Sequence, residues 1–470
     1  MRLERRNSWA LLALLLGSAA GATWLHPPDR ATALTRAEAL EDIEDFQERL
    51  LAVHPDPHRS VAATELERRF ANAKAGLPET VSPELLFQVL APIAAAVRDS
   101  HTSLSPPRTD GHLVLPVRVQ GDEMRLARAL HSLPAASRVL RVDGHPAASV
   151  IALVRSFASA EHSAAVDVAL PGLIPFARRL LGLSPHRTVL EVVAPDGVEM
   201  RAAITAENVK STETPAVESG VFPNGAIYLR IDTMAGDVQE HRRYLSEFFA
   251  WVAEVKPPGL IIDLRENDGG NTQVGSALLS YLTARPHRMF GQKRWRVSRY
   301  MQQRVREMGR WSESYLAATP GTFLHESPPV TAPAAIEHAF AGPTVLLIGP
   351  RTRSAAMMTA NAARDFNLAP VLGEPTTSSP NFFGESYRYR LPNSRLRASI
   401  SSAEFIRANG DALDGGPVVP HVNLSDEDGI VSPEDQVVGV AIALVERYRT
   451  MAKARDRELA SHVPLAGSPR

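Results

Sequence analysis

The chain contains no cysteine in 470 residues, which excludes disulfide staples, thiolate metal centres, a cysteine nucleophile and an acylated N-terminal cysteine. Lysine is almost as scarce, with five against forty-six arginines. That bias alone reads as nucleotide composition, but it restricts the bases a catalyst could draw on. Charge of one sign is lacking too: the formal net charge is −1, so no global field points to nucleic acid or an anionic membrane. Beyond the first two dozen residues no apolar run approaches the roughly 20 residues of a membrane span.

What is present is globular. Hydrophobic residues make up 44% and charged residues 22%, enough apolar material for a sizeable core and unlike a disordered chain. The length allows several domains. The start MRLERRNSW is positively charged, ALLALLLGSAAGA is a short apolar run, and Ala20-Gly21-Ala22 has the small-x-small form of a signal-peptidase site. Residues 1–22 are therefore expected to be a signal peptide, cleaved after Ala22, that places the protein in the periplasm or outside the cell. The alternative is an uncleaved N-terminal anchor, the one route to membrane association.

Residues 31–105 are expected to form an N-terminal helical unit. Leu40, Ile43, Phe46, Leu50 and Leu51 recur at helical spacing, and two further helices are expected near 61–77 and 82–98. The prolines of HPDPH end the first helix. They also break the helical phase that His54 and His58 would need to hold a metal, so no metal is expected there. From 110 to 210 the pattern becomes β-rich, with strand-like LVLPVRV and MRLARAL, a turn at Asp143-Gly144 and a later hairpin TVLEVVAPDGVEMRAAI. This accessory domain loosely resembles part of a PDZ module, interrupted by an insertion around 157–186.

Over 219–450 apolar strands alternate with amphipathic helices: GAIYLRIDTM, VQEHRRYLSEFFAWVAEV, GLIIDL, SALLSYLT, TVLLIG and APVLGEPT. Such alternation means an α/β fold with helices packed on a largely parallel sheet. Two strand ends carry the informative residues. GLIIDL runs into the turn DLRENDGGN, and TVLLIG is followed by Ser354 at the start of the helix-like SAAMMTANAARDF. Unpaired N–H groups at a helix start and the positive end of its dipole suit a developing oxyanion, and glycines allow close backbone approach. A lone serine before a helix could equally be an N-cap, and a glycine pair a simple turn.

These two elements together resemble the core of peptidase family S41, the tail-specific or C-terminal processing peptidases. The resemblance implies a crotonase/ClpP-like core and serine peptidase chemistry, with no metal or nucleotide cofactor and a peptide or unfolded protein as substrate. It implies Ser354 as nucleophile, Ala355 and Gly270 as oxyanion donors, and Gly269 and Glu385 at the substrate. A serine needs a base, and the family's usual lysine about two dozen residues later is missing: none stands between Lys293 and Lys453. The tricorn-like branch instead takes a histidine from a D-x-H-T element, matched here by Asp99, Ser100, His101 and Thr102. That branch implies His101 as general base and Ser100 with a late acidic residue, Asp414 or the competing Glu385, as the relay behind it. VLGEPTTSSPNFFG and LPNSRLRASI resemble groove-lining elements of the family. Glu266, Asp268, Met357 and His421 depart from its pattern. Two readings stay beside the exported peptidase: a catalytically inactive peptide-binding relative and an esterase or amidase for small acyl substrates.

Overall fold

The computed structural model describes residues 33–107, 113–210, 216–308, 313–424 and 436–461. The expected signal segment at 1–22 lies outside them. Among the described residues no helix is long and apolar enough to cross a membrane.

The fold centres on a six-stranded sheet. Its order is Val217–Val221, Ile227–Ile231, Leu260–Asp263, Thr344–Ile348, Val371–Gly373 and Val422–Asn423. The first pair is antiparallel and every later pair parallel. Side chains alternate across the sheet, so each strand supplies two cores. Leu260, Ile262, Leu346 and Ile348 join the helices Val238–Val255, Thr272–Leu282 and Ser354–Asp365 on one face. Ile261, Val345 and Leu347 meet Val437, Ala441 and Val445 of the C-terminal helix on the other. The run GLIIDL is apolar throughout because both of its faces are covered.

A second sheet has the order Phe323–Glu326, Gln292–Arg296, Arg397–Ile406 and Phe382–Arg390. It carries the N-terminal unit. Ser103 and Leu104 pair with Ser399 and Ala398, so the end of the D-x-H-T element is stitched onto this sheet as a short strand. The helix Arg36–Val53 docks beside it. Its Thr35 capping box fixes the start, and its buried Asp42 accepts the N–H groups of Asn393 and Ser394 at 2.8 Å each. The Asn-Ser turn of LPNS thus rests on the N-terminal helix. The other two helices of that unit span Ala63–Ala75 and Pro83–Ala96.

The β-rich region is a third sheet, with main order Val117–Gln120, Glu123–Leu126, Arg138–Val142, Arg187–Val193 and Glu199–Thr205. Both φ values of Asp143-Gly144 are positive, 51° and 84°, as a tight two-residue hairpin turn requires. LVLPVRV yields a strand only from Val117, directly after Pro116. The insertion folds as the helices Ser163–Ala169 and Ile174–Leu180. It is pinned by fully buried Arg178, which donates to Asp143 and to the carbonyls of Ser184 and Arg187.

Candidate active site

The loop into Ser354 is tied to the turn after Leu260–Asp263. Thr352 donates its hydroxyl to the Leu264 carbonyl (2.7 Å) and Arg353 its N–H to the Asn267 carbonyl (2.9 Å). Asn267 in turn donates to the Ile231 carbonyl and accepts the Gly269 N–H, both at 2.8 Å. Asp263 and Arg265 pair beneath this turn, with Tyr228 donating to Asp263 at 2.7 Å. They hold the turn from below and face away from solvent.

Ser354 is the first residue of its helix, and Arg353 is the cap. The N-cap reading of Ser354 is therefore corrected: no side-chain cap bond is made there. Instead Ser354 has φ 48°, the left-handed region that costs a non-glycine residue about 1–3 kcal/mol. That backbone turns the serine out of the helical path. Gly269, φ 95°, packs directly on it: a Cβ at Gly269 would stand 2.6 Å from Ser354 Cβ and 3.0 Å from the Ala355 nitrogen. Gly270 faces the other way, and a Cβ there would strike the Met234 backbone at 2.0 Å. Among the described residues no acceptor is recorded for the N–H of Gly270 or of Ala355, whereas the Gly269 N–H is used by Asn267. Gly269 is the contact that brings the glycine turn against the start of the Ser354 helix.

His101 is half-buried on the second sheet, with its ring centroid 5.5 Å from that of Phe382. Its N–H donates to Asp99 Oδ1 at 3.0 Å, and Ser399 donates to its carbonyl at 2.8 Å. Asp99 is the hub of this element. Fully buried, it also accepts from Thr102 Oγ1 (2.6 Å), Ser401 Oγ (2.6 Å) and His54 Nε2 (3.2 Å). The tautomer of His54 follows from its other nitrogen: Asp56 donates its N–H to Nδ1 at 3.1 Å, so Nε2 carries the proton. Burial works to raise the Asp99 pKa, but the His54 hydrogen bond, the electrostatic pull of the two imidazoles and the Ser401 bond outweigh it, and the carboxyl sits below its ordinary value. For His101 burial is the strongest influence and pushes the imidazole below its ordinary value. The Asp99 and Glu161 carboxylates pull it up, and Arg353 and Arg388 push it down. Arg353 precedes Ser354, so the histidine feels the charge beside the serine. No hydrogen bond joins Ser354 Oγ to His101 in this arrangement.

The acidic relay differs from expectation. Ser100 Oγ lies 3.4 Å from His101 Nδ1, but the carboxylate it donates to is Glu161, at 3.0 Å, and the Ser100 N–H reaches the same oxygen at 3.1 Å. Asp414 is not brought to Ser100. Its carboxylate pairs with Arg407, which also binds Asp365. Glu385, the competing residue, is likewise elsewhere: φ 53° turns its carboxylate to buried Lys293 and Trp295 Nε1. Lys293 lies 4.0 Å above the Trp295 ring and 5.0 Å from that of Phe405. Phe405 stacks on Phe382 at 5.1 Å, so aromatic rings stand between this ion pair and His101. Glu161 escaped sequence reasoning because it carries no motif and lies 61 residues from Ser100.

A serine in the left-handed region at a helix start, with the Ala355 amide next to it and a histidine among carboxylates on the second sheet, is an arrangement suited to hydrolysis of the serine-peptidase class. Residues 226–424 match the family model for Peptidase family S41. The fold is similar to that of "mature CPAF", with TM-score 0.57, 17% identity, and coverage of 83% of this chain and 93% of that one. It is also similar to "mature CPAF complexed with lactacystin", with TM-score 0.59, 16% identity, and coverage of 89% and 98%. No curated protein matches the chain.

Proposed function

We propose that the protein is an exported serine peptidase that cleaves peptide bonds of proteins or peptides through an acyl-enzyme on Ser354, with His101 as general base. The observation that carries this reading is the left-handed Ser354 packed on Gly269 with the Ala355 amide unsatisfied beside it. His101 Nε2 takes the Ser354 hydroxyl proton as Oγ attacks the scissile carbonyl carbon. The carbonyl oxygen becomes an oxyanion between the Ala355 and Gly270 N–H groups. The imidazolium then protonates the departing amine, and water, activated by the same imidazole, hydrolyses the ester. In this reading the Ser354–His101 hydrogen bond forms in the Michaelis complex, where catalytic bonds often tighten. Carboxy-terminal processing of a protein chain is the form of this activity that the family resemblance favours.

A fluorophosphonate probe tests the chemistry: it should modify folded wild-type protein at Ser354, while absence of labelling would favour a peptide-capturing protein without catalysis. Cleavage of a denatured protein without hydrolysis of short acyl esters separates peptidase from esterase. Export is tested by N-terminal sequencing of the native protein. A mature start at Thr23 is expected, and an intact Met1 on a soluble cytoplasmic species would remove export from the proposal.

A further inference from the structure

His101 can serve as a base only if its proton is on Nδ1, leaving the Nε2 lone pair for the serine. The tautomer follows from Ser100. The Ser100 hydroxyl donates its one hydrogen to Glu161 Oε1 at 3.0 Å, so its oxygen faces His101 Nδ1, 3.4 Å away, as an acceptor. The same Oε1 accepts the Ser100 N–H at 3.1 Å. A single carboxylate oxygen thus sets both the backbone and the hydroxyl of Ser100. Its other oxygen, Oε2, is buried without a hydrogen-bond partner among the described residues, and the carboxylate acts electrostatically on His101. Asp99 does not do this job. Its nearer oxygen is 3.9 Å from Nδ1 and already holds the His101 N–H.

We infer that Glu161, contributed by the insertion of the β-rich region, is a positioning residue that acts through Ser100 to fix the tautomer of His101 and to stabilise its imidazolium. The assignment rests on the reading of Ser354 and His101 as the catalytic pair. It makes the catalytic centre a composite: the nucleophile comes from the core, the base from the N-terminal unit and the orienting carboxylate from the β-rich region. The β-rich region is then part of the machinery and not a spacer. The Ser100 bonds therefore join catalysis to the seating of the segment that leads into the helix Ser163–Ala169.

The charged groups that bear on His101 are Asp99 and Glu161, which favour its protonated form, and Arg353 and Arg388, which oppose it; His54 stands behind Asp99. Glu161→Gln keeps an oxygen for both Ser100 donors but removes the charge. The sign follows: without that charge the imidazole binds its proton less tightly, so the acid limb of reactivity moves to lower pH, by about half to one pH unit. The plateau falls about tenfold because the imidazolium is less stabilised.

The experiment is the rate of fluorophosphonate labelling of Ser354 against pH in the full chain, comparing wild type, Glu161→Gln and Asp414→Asn, with circular dichroism to confirm folding. Movement of the limb and loss of plateau in Glu161→Gln, with Asp414→Asn tracking wild type, supports the assignment. A limb and plateau unmoved in Glu161→Gln, or a shift in Asp414→Asn instead, overturns it while leaving the serine–histidine pair standing. Should Glu161→Gln fail to fold, Ser100→Ala carries the test: it removes the bridging hydroxyl but keeps the amide bond to Glu161. Its plateau should fall about tenfold, and an unchanged plateau overturns the assignment. Wild-type protein that shows no labelling of Ser354 at any pH brings down the catalytic pair itself, and the role of Glu161 with it.

Discussion

Gly269 and Ser354 are in backbone contact: a methyl group at Gly269 would lie 2.6 Å from Ser354 Cβ and 2.7 Å from the Arg353 carbonyl oxygen. Neither obstacle is a flexible side-chain end, and φ at Gly269 is 95°, a conformation alanine rarely adopts. Gly269→Ala should therefore push the glycine turn away from the helix start and separate the Gly270 and Ala355 amides. Loss of one oxyanion donor typically costs about a hundredfold to a thousandfold in kcat. Steady-state kinetics on a denatured protein should show a loss of at least that size with KM little changed. A variant with near wild-type kcat would show that the amides do not need this contact.

Asp99 should support stability as much as catalysis. It is fully buried and accepts four hydrogen bonds, from His54, His101, Thr102 and Ser401. Its pKa is depressed in the fold, despite the burial that opposes this. The sign of the linkage follows: the stabilisation is present above the unfolded value of about 3.9 and is lost as pH falls through the folded value. Asp99→Asn cannot accept all four donors, because half of its head group is itself a donor. Urea unfolding at pH 7 should show a loss of about 3 kcal/mol or more, and the gap to wild type should narrow at acid pH. A gap that persists unchanged into acid would mean that the charge of Asp99 is not what matters.

Much of this arrangement is legible in the sequence, because its parts are local. GLIIDL and TVLLIG are apolar runs of strand length, the first ending in a glycine turn and the second in a short loop, and parallel neighbours bring those ends to one edge of a sheet. Asp99, Ser100, His101 and Thr102 are legible as a D-x-H-T element, but the short strand after it, Ser103 and Leu104 on Ser399 and Ala398, is not announced by any strand pattern. Side-chain partners across domains are another matter. Arg407 lies seven residues before Asp414 and captures it, so the acidic residue at the expected place in the chain is spent elsewhere. Glu161 reaches Ser100 only because the third sheet packs against the N-terminal unit, a consequence of tertiary packing that no local spacing encodes. His54 shows the same limit. The prolines after it argue against a metal pair, but nothing nearby announces a bond to Asp99.

The pH dependence of hydrolysis should reflect the burial of His101. Its imidazole lies below its ordinary value because burial outweighs the pull of Asp99 and Glu161, with Arg353 and Arg388 adding to the depression. A general base must be unprotonated, so kcat/KM should rise with pH through a limb below the unperturbed histidine value of about 6.5 and be level by neutrality. A pH profile on a long peptide whose own groups do not titrate between pH 5 and 8 would show this. A limb above pH 7.5 would point to a different base. Lys293 would then be the first to test, since burial lowers its pKa although Glu385 opposes the shift.

If Ser354 and His101 act as one unit, their losses should not multiply. Ser354→Ala removes the nucleophile and His101→Ala the base that takes its proton, so each should reduce kcat by several orders of magnitude. The double variant should be little worse than either, because a base without its nucleophile, or a nucleophile without its base, contributes little alone. The residual rate in all three should be similar and should come from the Gly270 and Ala355 amides and from substrate binding, which neither substitution touches. Both side chains can be shortened at small cost to the fold: Ser354 makes no cap bond, and the recorded hydrogen bonds of the His101 backbone run to Asp99 and Ser399, independent of its ring. Single-turnover kinetics of the three variants on one denatured protein would decide the matter. Losses that multiply, or a His101→Ala variant that keeps most of its activity, would mean that the imidazole does not serve Ser354 and that another base does.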